Sequence, residues 1–159
     1  MSTATAYIGM GANLGDAKAT LTAAIEALRR TAGVIDAQSS SFYCSDPVDA
    51  PGPPYVNAVA KLTTTLAPLP LLQTLRAIEA QHGRERHFRN APRTLDLDLL
   101  LYDELKFSTP TLVVPHPRMH LRAFVLKPLT ELGALNTVIQ DRPLADWLAA
   151  CQEQPCEPI

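Results

Sequence analysis

The chain has 159 residues, 47% of them hydrophobic and 19% charged, which suits a single soluble domain able to bury its own core. Its 16 acidic and 14 basic residues leave a net charge of −2, which excludes a global field for nucleic acid or an anionic membrane; any polyanion would have to be held by local clustering. Cys44, Cys151 and Cys156 are odd in number and form no CxxC pair, so neither a disulfide framework nor a cysteine zinc site is expected, and a reducing cytoplasm is.

The start carries no basic segment followed by an apolar run, and 18 consecutive apolar residues occur nowhere, so neither a signal peptide nor a membrane span is expected. Ala4 to Met10 reads as a short buried strand. GMGANLGD then turns into a helix capped near Asp16, with Leu21, Ala24, Ile25 and Leu28 at helical spacing and Gly33 at its end. Val34 to Tyr43 and Tyr55 to Leu66 read as strands, separated by SDPVDAPGPP, which is too long and proline-rich for a tight hairpin. Pro68 and Pro70 open a second helix whose buried stripe is Leu71, Leu72, Leu75 and Ile78, and Gly83 is placed to end it. A loop with Arg84, Arg86, Arg89 and Arg93 leads into a strand from Leu95 to Tyr102, followed by a turn at Asp103-Glu104 and a short strand from Leu112 to Val114. His120 to Leu132 is expected to be helical with a break at Pro128, and Leu144 to Cys151 to be a last short helix. The order β-α-β-β-α-β with extra C-terminal elements predicts an α+β fold close to a ferredoxin-like plan, with a mainly antiparallel sheet and helices mostly on one face. Residues 1–151 are expected to form one domain and 152–159 a disordered tail.

The stretch RNAPRTLDLDLLLY carries the clearest chemistry. Side chains two apart on a strand share a face, so Leu95, Leu97 and Leu99 point one way and Asp96 and Asp98 the other, roughly 6.5 Å apart by the strand rise. Two carboxylates at that distance repel by about 0.6 kcal/mol in bulk water and by about 2.5 kcal/mol at the effective dielectric of a cleft. In a cleft they call for a cation. Carboxylate oxygens suit Mg²⁺ and guanidinium groups suit phosphate, so the aspartates together with the arginine loop describe a magnesium–nucleotide site.

Other motifs are weaker. GMGANLGD has Gly9 and Gly11, but its third glycine falls at Gly15 where a dinucleotide fingerprint needs one at Leu14, so the bland glycine turn is favoured. His116 and His120 are four apart, but Pro115 and Pro117 bracket the first, so a zinc pair is disfavoured and contact with an anionic ligand beside Arg118 and Arg122 is preferred. Tyr55 and Phe124 divide evenly between core packing and ligand stacking. Asn57, two past Tyr55, is a polar amide on the same strand face, and a heterocycle could supply its partners.

Taken together, AYIGMGANLGD, FY followed by YVN, GRER, RNAPRTLDLDLL and VPHPRMHLRAF resemble, in order and approximate spacing, the 6-hydroxymethyl-7,8-dihydropterin pyrophosphokinases of the folate pathway. The resemblance runs to about Leu132. It implies a ferredoxin-like fold, two Mg²⁺ ions, ATP as co-substrate and transfer of its β,γ-pyrophosphoryl group to the pterin hydroxymethyl oxygen with release of AMP. Carried over by motif, it implies that Asp96 and Asp98 hold both metals and that Arg84 and Arg93 bind and stabilise the moving phosphates. Arg86 and Arg122 would be secondary phosphate contacts, His116 would lie against ATP, Leu72, Leu99 and Leu112 would wall the adenine, and Glu79 would contact the nucleotide side. Tyr55 and Phe124 would flank the pterin, Asn57 would bond its edge, and backbone around Ser45, Asp46, Pro47 and Val48 would complete the pocket. ATP and the pterin are the expected partners of a monomer, with no nucleic acid and no membrane.

The sequence departs from the family at Ala12, where serine is common, and at Asn90 and Pro117, where some members place tryptophan and tyrosine. Two rival classes share parts of the pattern. A DxD sugar-nucleotide transferase or simple kinase would share the aspartates. A ferredoxin-like nucleic-acid module would share the fold and basic loop, yet should show exposed strand aromatics and no acidic pair facing its ligand.

Overall fold

The computed structural model describes residues 2–13, 16–45, 55–82, 95–134 and 136–159. Along the chain these form β1 (Ala4–Ala12), α1 (Ala17–Arg29), β2 (Val34–Ser39), β3 (Tyr43–Ser45), β4 (Tyr55–Thr64), α2 (Pro68–Gln81), β5 (Asp96–Tyr102), β6 (Phe107–Ser108) and β7 (Val113–Val114). A 3-10 turn at Met119–Leu121 leads to α3 (Ala123–Glu131), β8 (Val138–Ile139), β9 (Arg142–Pro143), α4 (Leu144–Ala150) and β10 (Cys156–Pro158). The main sheet runs β10-β3-β4-β1-β5, with β2 also paired to β4, and every pair in it is antiparallel. Because β1 occupies one edge of β4 from Val56 to Thr64, β2 and β3 must share the other, β2 at Ala60 to Thr64 and β3 at Tyr55 to Asn57. The result is the ferredoxin-like plan with its second strand cut in two.

That cut departs from the single strand expected over Val34 to Tyr43, and Ser40 supplies its reason. The Ser40 hydroxyl accepts the Val59 N–H at 2.9 Å while the Ser40 N–H donates to the Val59 carbonyl at 2.9 Å. A side chain thus replaces one rung of the ladder and the strand bends there.

Asp16 caps α1 by accepting the Ala19 N–H at 3.1 Å, and Leu21, Ala24, Ile25 and Leu28 are its buried face. Gly33 lies beyond the helix end, in the turn into β2, at φ +94°, where a Cβ would come within 2.8 Å of Leu66. On α2 the buried positions are Leu71, Leu75, Ile78 and Glu79, with Leu72 half-buried at the margin; Gly83 lies outside the described residues.

Helices cover both faces of the sheet, rather than mostly one. Ala6, Ile8 and Met10 of β1, Ala60 and Leu62 of β4, and Leu97 and Leu99 of β5 pack with α1 and α2. On the opposite side Val59, Leu100 and Leu101 pack with Met119, Val125, Leu126, Leu129 and Leu144 from the C-terminal elements. A register shift at Tyr7/Ile8 explains why two consecutive leucines serve that second core: Tyr7 pairs Leu101 and Ile8 pairs Leu99, leaving Leu100 as the extra residue of a bulge. A sheet apolar on both faces needs both covered.

Two C-terminal expectations are corrected. Pro128 lies buried inside α3 without breaking it; it is the sixth residue of a nine-residue helix, so its missing N–H removes one intrahelical bond and leaves the rest. The tail expected to be disordered contains β10, which pairs with β3, and the Ile159 N–H donates to the Phe42 carbonyl at 2.9 Å. The open edge of β3 is a template for such pairing. Lys127 Nζ donates to the Cys156 carbonyl at 2.6 Å, and Gln154 Oε1 accepts the Ala123 N–H at the start of α3 at 2.9 Å, fixing the approach to the strand.

Candidate active site

The register of the three central strands sets out the site. Gly11 of β1 lies between Asn57 of β4 and Asp96 of β5, and Gly9 lies between Val59 and Asp98. Directly opposed residues on neighbouring strands share a face, so both aspartates rise from the side that carries α3. There they line a cavity of about 230 Å3 together with Gly9, Gly11, Ser45, Tyr55, Asn57, His116, Arg122 and Phe124.

A second hollow of about 230 Å3 is lined by Leu72, Arg76, Leu99, Thr109, Thr111, Leu112 and Pro117, and also by Asp98 and His116. The chambers therefore meet at one carboxylate and one imidazole. The first is lined by two aromatic rings and convergent polar groups; the second offers aliphatic walls with an arginine and two threonines near them.

Within the first chamber Asn57, only 6% exposed, has its Oδ1 held by the Ser45 hydroxyl, which donates to it at 2.5 Å. Arg122 lies over the Phe124 ring, 5.5 Å from its centroid, so the cation is braced against one wall. His116 Nδ1 accepts the Arg118 backbone N–H at 3.1 Å, and the His116 backbone N–H donates to the Leu100 carbonyl at 2.9 Å. The proton of the neutral ring must therefore sit on Nε2. Burial lowers the His116 pKa from its ordinary value and outweighs the opposing pull of Asp98, while Arg122 and Arg118 push it down further, so the ring is neutral at pH 7.

Asp96 and Asp98 are the acidic groups lining these chambers, and no cluster of three or more His, Cys, Asp or Glu occurs among the described residues. Two carboxylates on one strand face fit a hard cation that takes its other ligands from water and a bound phosphate, the usual binding mode of Mg²⁺. They do not form an all-protein cage.

Of the residues singled out in the sequence, Ser45, Tyr55, Asn57, Asp96, Asp98, His116, Arg122 and Phe124 thus gather at the first chamber and Leu72, Leu99 and Leu112 at the second. Glu79 lines neither. It is 1% exposed and points into the protein, where Oε2 accepts the Leu97 N–H at 2.8 Å and Oε1 accepts Arg76 Nη1 at 2.8 Å. Arg76 Nη1 also donates to the Leu97 carbonyl at 2.9 Å. The peptide between the two aspartates is gripped on both sides by one pair on α2. Arg84, Arg86, Arg93, Asp46, Pro47 and Val48 lie outside the described residues. Sequence reasoning missed Arg76, Thr109, Thr111 and the glycine floor; for Arg76 a signal existed, since it stands four residues after Leu72 and three before Glu79 on one helix face.

A ferredoxin-like sheet that sets Asp96 and Asp98 at one chamber and shares Asp98 with a second, in a sequence with four arginines shortly before the acidic strand, has the design of a small phosphoryl-transfer enzyme. The family model described as 7,8-dihydro-6-hydroxymethylpterin-pyrophosphokinase (HPPK) matches residues 7–134. The chain is 44% identical over 146 residues to the 2-amino-4-hydroxy-6-hydroxymethyldihydropteridine pyrophosphokinase of Pseudomonas aeruginosa, covering 91% of this chain and 90% of that one. To the protein of the same description from Bacillus subtilis it is 41% identical over 128 residues, covering 80% and 77%. The chain belongs to the HPPK family. Among solved structures, an HPPK-DHPS of Plasmodium falciparum superposes with a TM-score of 0.72 at 12% identity, covering 94% of this chain and 45% of that chain. That likeness shows the fold alone, and this chain spans less than half the length of that structure.

Proposed function

We propose that the protein transfers the β,γ-pyrophosphoryl group of ATP to the hydroxymethyl oxygen of 6-hydroxymethyl-7,8-dihydropterin, giving the pterin diphosphate and AMP in folate biosynthesis. Family membership supports the reaction. The observation that carries the placement is that Asp98 and His116 line both chambers, so a pterin in one and a nucleotide in the other would meet at those two side chains.

In this reading Tyr55 and Phe124 flank the pterin ring, Asn57 bonds its edge in the chamber that Ser45 also lines, and Asp46, Pro47 and Val48 are further pterin contacts. Leu72, Leu99 and Leu112 wall the adenine. Asp96 and Asp98 would hold Mg²⁺, which when bound would neutralise charge on the phosphates. The pterin alcohol oxygen forms its bond to the β-phosphorus as the bond from that phosphorus to the α-phosphate oxygen breaks, the alcohol proton is released, and AMP leaves. His116, with its proton on Nε2 and Nδ1 already engaged, offers a donor at the junction rather than a base. Arg122 supplies positive charge from the Phe124 wall, and Arg84, Arg86 and Arg93, which precede β5 in sequence, supply it where charge develops on the transferred group. The reading includes two Mg²⁺ ions and a monomer working in the cytoplasm; no described helix is long and apolar enough to cross a membrane.

The nucleotide product is the test. Incubation with MgATP and the pterin alcohol is expected to yield AMP and pterin diphosphate in equal amounts. ADP would reassign the protein as a simple kinase, and RNA affinity without turnover would favour the nucleic-acid module.

A further inference from the structure

The first chamber owes its shape to a missing side chain as much as to those present. Gly11 sits between Asn57 and Asp96 in the cross-strand row. A Cβ built on it would lie 3.1 Å from Asn57 Nδ2 and 3.9 Å from the Tyr55 ring. The first distance is tighter than ordinary van der Waals contact of about 3.5–4.0 Å, so the amide would have to yield by a few tenths of an ångström. It has little room to do so. Its other end is tied to the Ser45 hydroxyl at 2.5 Å, both residues are 6% exposed, and β4 is a central strand paired on both sides.

We propose that Gly11 and Ser45 are positioning residues for Asn57: the hydroxyl fixes one end of the amide, and the bare Cα lets the other end lie across β1 toward the aspartate row. This rests on the placement of the pterin in the first chamber. It makes Gly11 a determinant of pterin recognition, acting through Asn57 and not through the turn that follows β1. A flat heterocycle recognised along its edge is sensitive to such displacement, because hydrogen bonds prefer angles above about 150° and weaken steeply below about 120°.

The experiment is a double-mutant cycle of Gly11→Ala with Asn57→Ala, read as KM for the pterin, kcat, and the calorimetric Kd of a non-hydrolysable MgATP analogue. Gly11→Ala is expected to raise the pterin KM about tenfold, roughly 1.4 kcal/mol, while changing kcat and the nucleotide Kd less than twofold. In the Asn57→Ala background it is expected to do almost nothing. Additive effects, or a pterin KM within twofold of the parent in Gly11→Ala alone, would overturn the inference. If Asn57→Ala itself leaves the pterin KM unchanged, the pterin placement fails instead, so the two failures are distinguishable. Should Gly11→Ala not fold, as judged by thermal melting and loss of nucleotide binding, Ser45→Ala decides: the inference requires it to raise the pterin KM only while Asn57 is present, and an unchanged KM overturns it.

Discussion

Replacing Glu79 with leucine separates a structural carboxylate from a nucleotide contact. Leu97, whose peptide it grips, lies between Asp96 and Asp98 on β5, which among the described residues is an edge strand paired to β1 alone. Glu79 Oε2 takes the Leu97 N–H and Arg76 Nη1 takes the Leu97 carbonyl, so two side chains stand in for a missing strand at that point. Leucine would leave the N–H buried and unpaired, a loss of about 1–3 kcal/mol. Arg76 adds little to that figure, because its side chain is 46% exposed and can turn to water, which limits the ion pair to about 0–1 kcal/mol. The sum is about 1–4 kcal/mol, or roughly 2–16 °C in Tm for a chain of this size. Glu79→Gln keeps an acceptor oxygen for the Leu97 N–H and is expected to lose only about 1 kcal/mol. Thermal denaturation of both variants, followed by circular dichroism without nucleotide, is the assay. A Tm for Glu79→Leu within 1 °C of the parent would refute the clamp. If glutamine proved as damaging as leucine, charge and not the hydrogen bond to Leu97 would be the source of the effect.

Asp96→Asn and Asp98→Asn are each expected to lower turnover by orders of magnitude while the Tm without Mg²⁺ holds or rises, since in the proposed reading each removes a metal ligand and relieves like-charge repulsion; steady-state rates at ordinary Mg²⁺ and melting curves check this. Tyr43, buried and donating its hydroxyl to Glu131 Oε1 at 2.8 Å, has its pKa pushed up to about 12, first by burial and then by the glutamate. Its folded pKa exceeds the unfolded value of 10.0, so the unfolded chain gives up its proton first and stability is lost as pH rises from 10 toward 12. Denaturant midpoints at pH 9 and pH 11 should therefore fall less in Tyr43→Phe than in the parent; an equal fall would show that the tyrosine does not titrate differently on folding.

The sequence alone determined whatever depends on neighbours along the chain. Period two on β5 placed Asp96 and Asp98 on one side; the Asp16 cap and the spacing of Leu21, Ala24, Ile25 and Leu28 determined α1, and the motif order pointed to the family. Tertiary structure decided what depends on partners distant in sequence. Ser40, a small polar residue within an apparently continuous strand, ends β2 because Val59 is opposite it. Cys156 to Pro158 have little intrinsic preference for a strand and become one because the β3 edge is open. Glu79 shares its helix face with apolar neighbours, and the Leu97 peptide that its carboxylate accepts from is a partner that no local pattern shows. The chamber itself, assembled from residues as far apart as Gly9 and Val125, exists only once β1, β4 and β5 pair in one register and α3 closes over them, because side chains separated by a hundred residues converge through backbone pairing that no local pattern encodes.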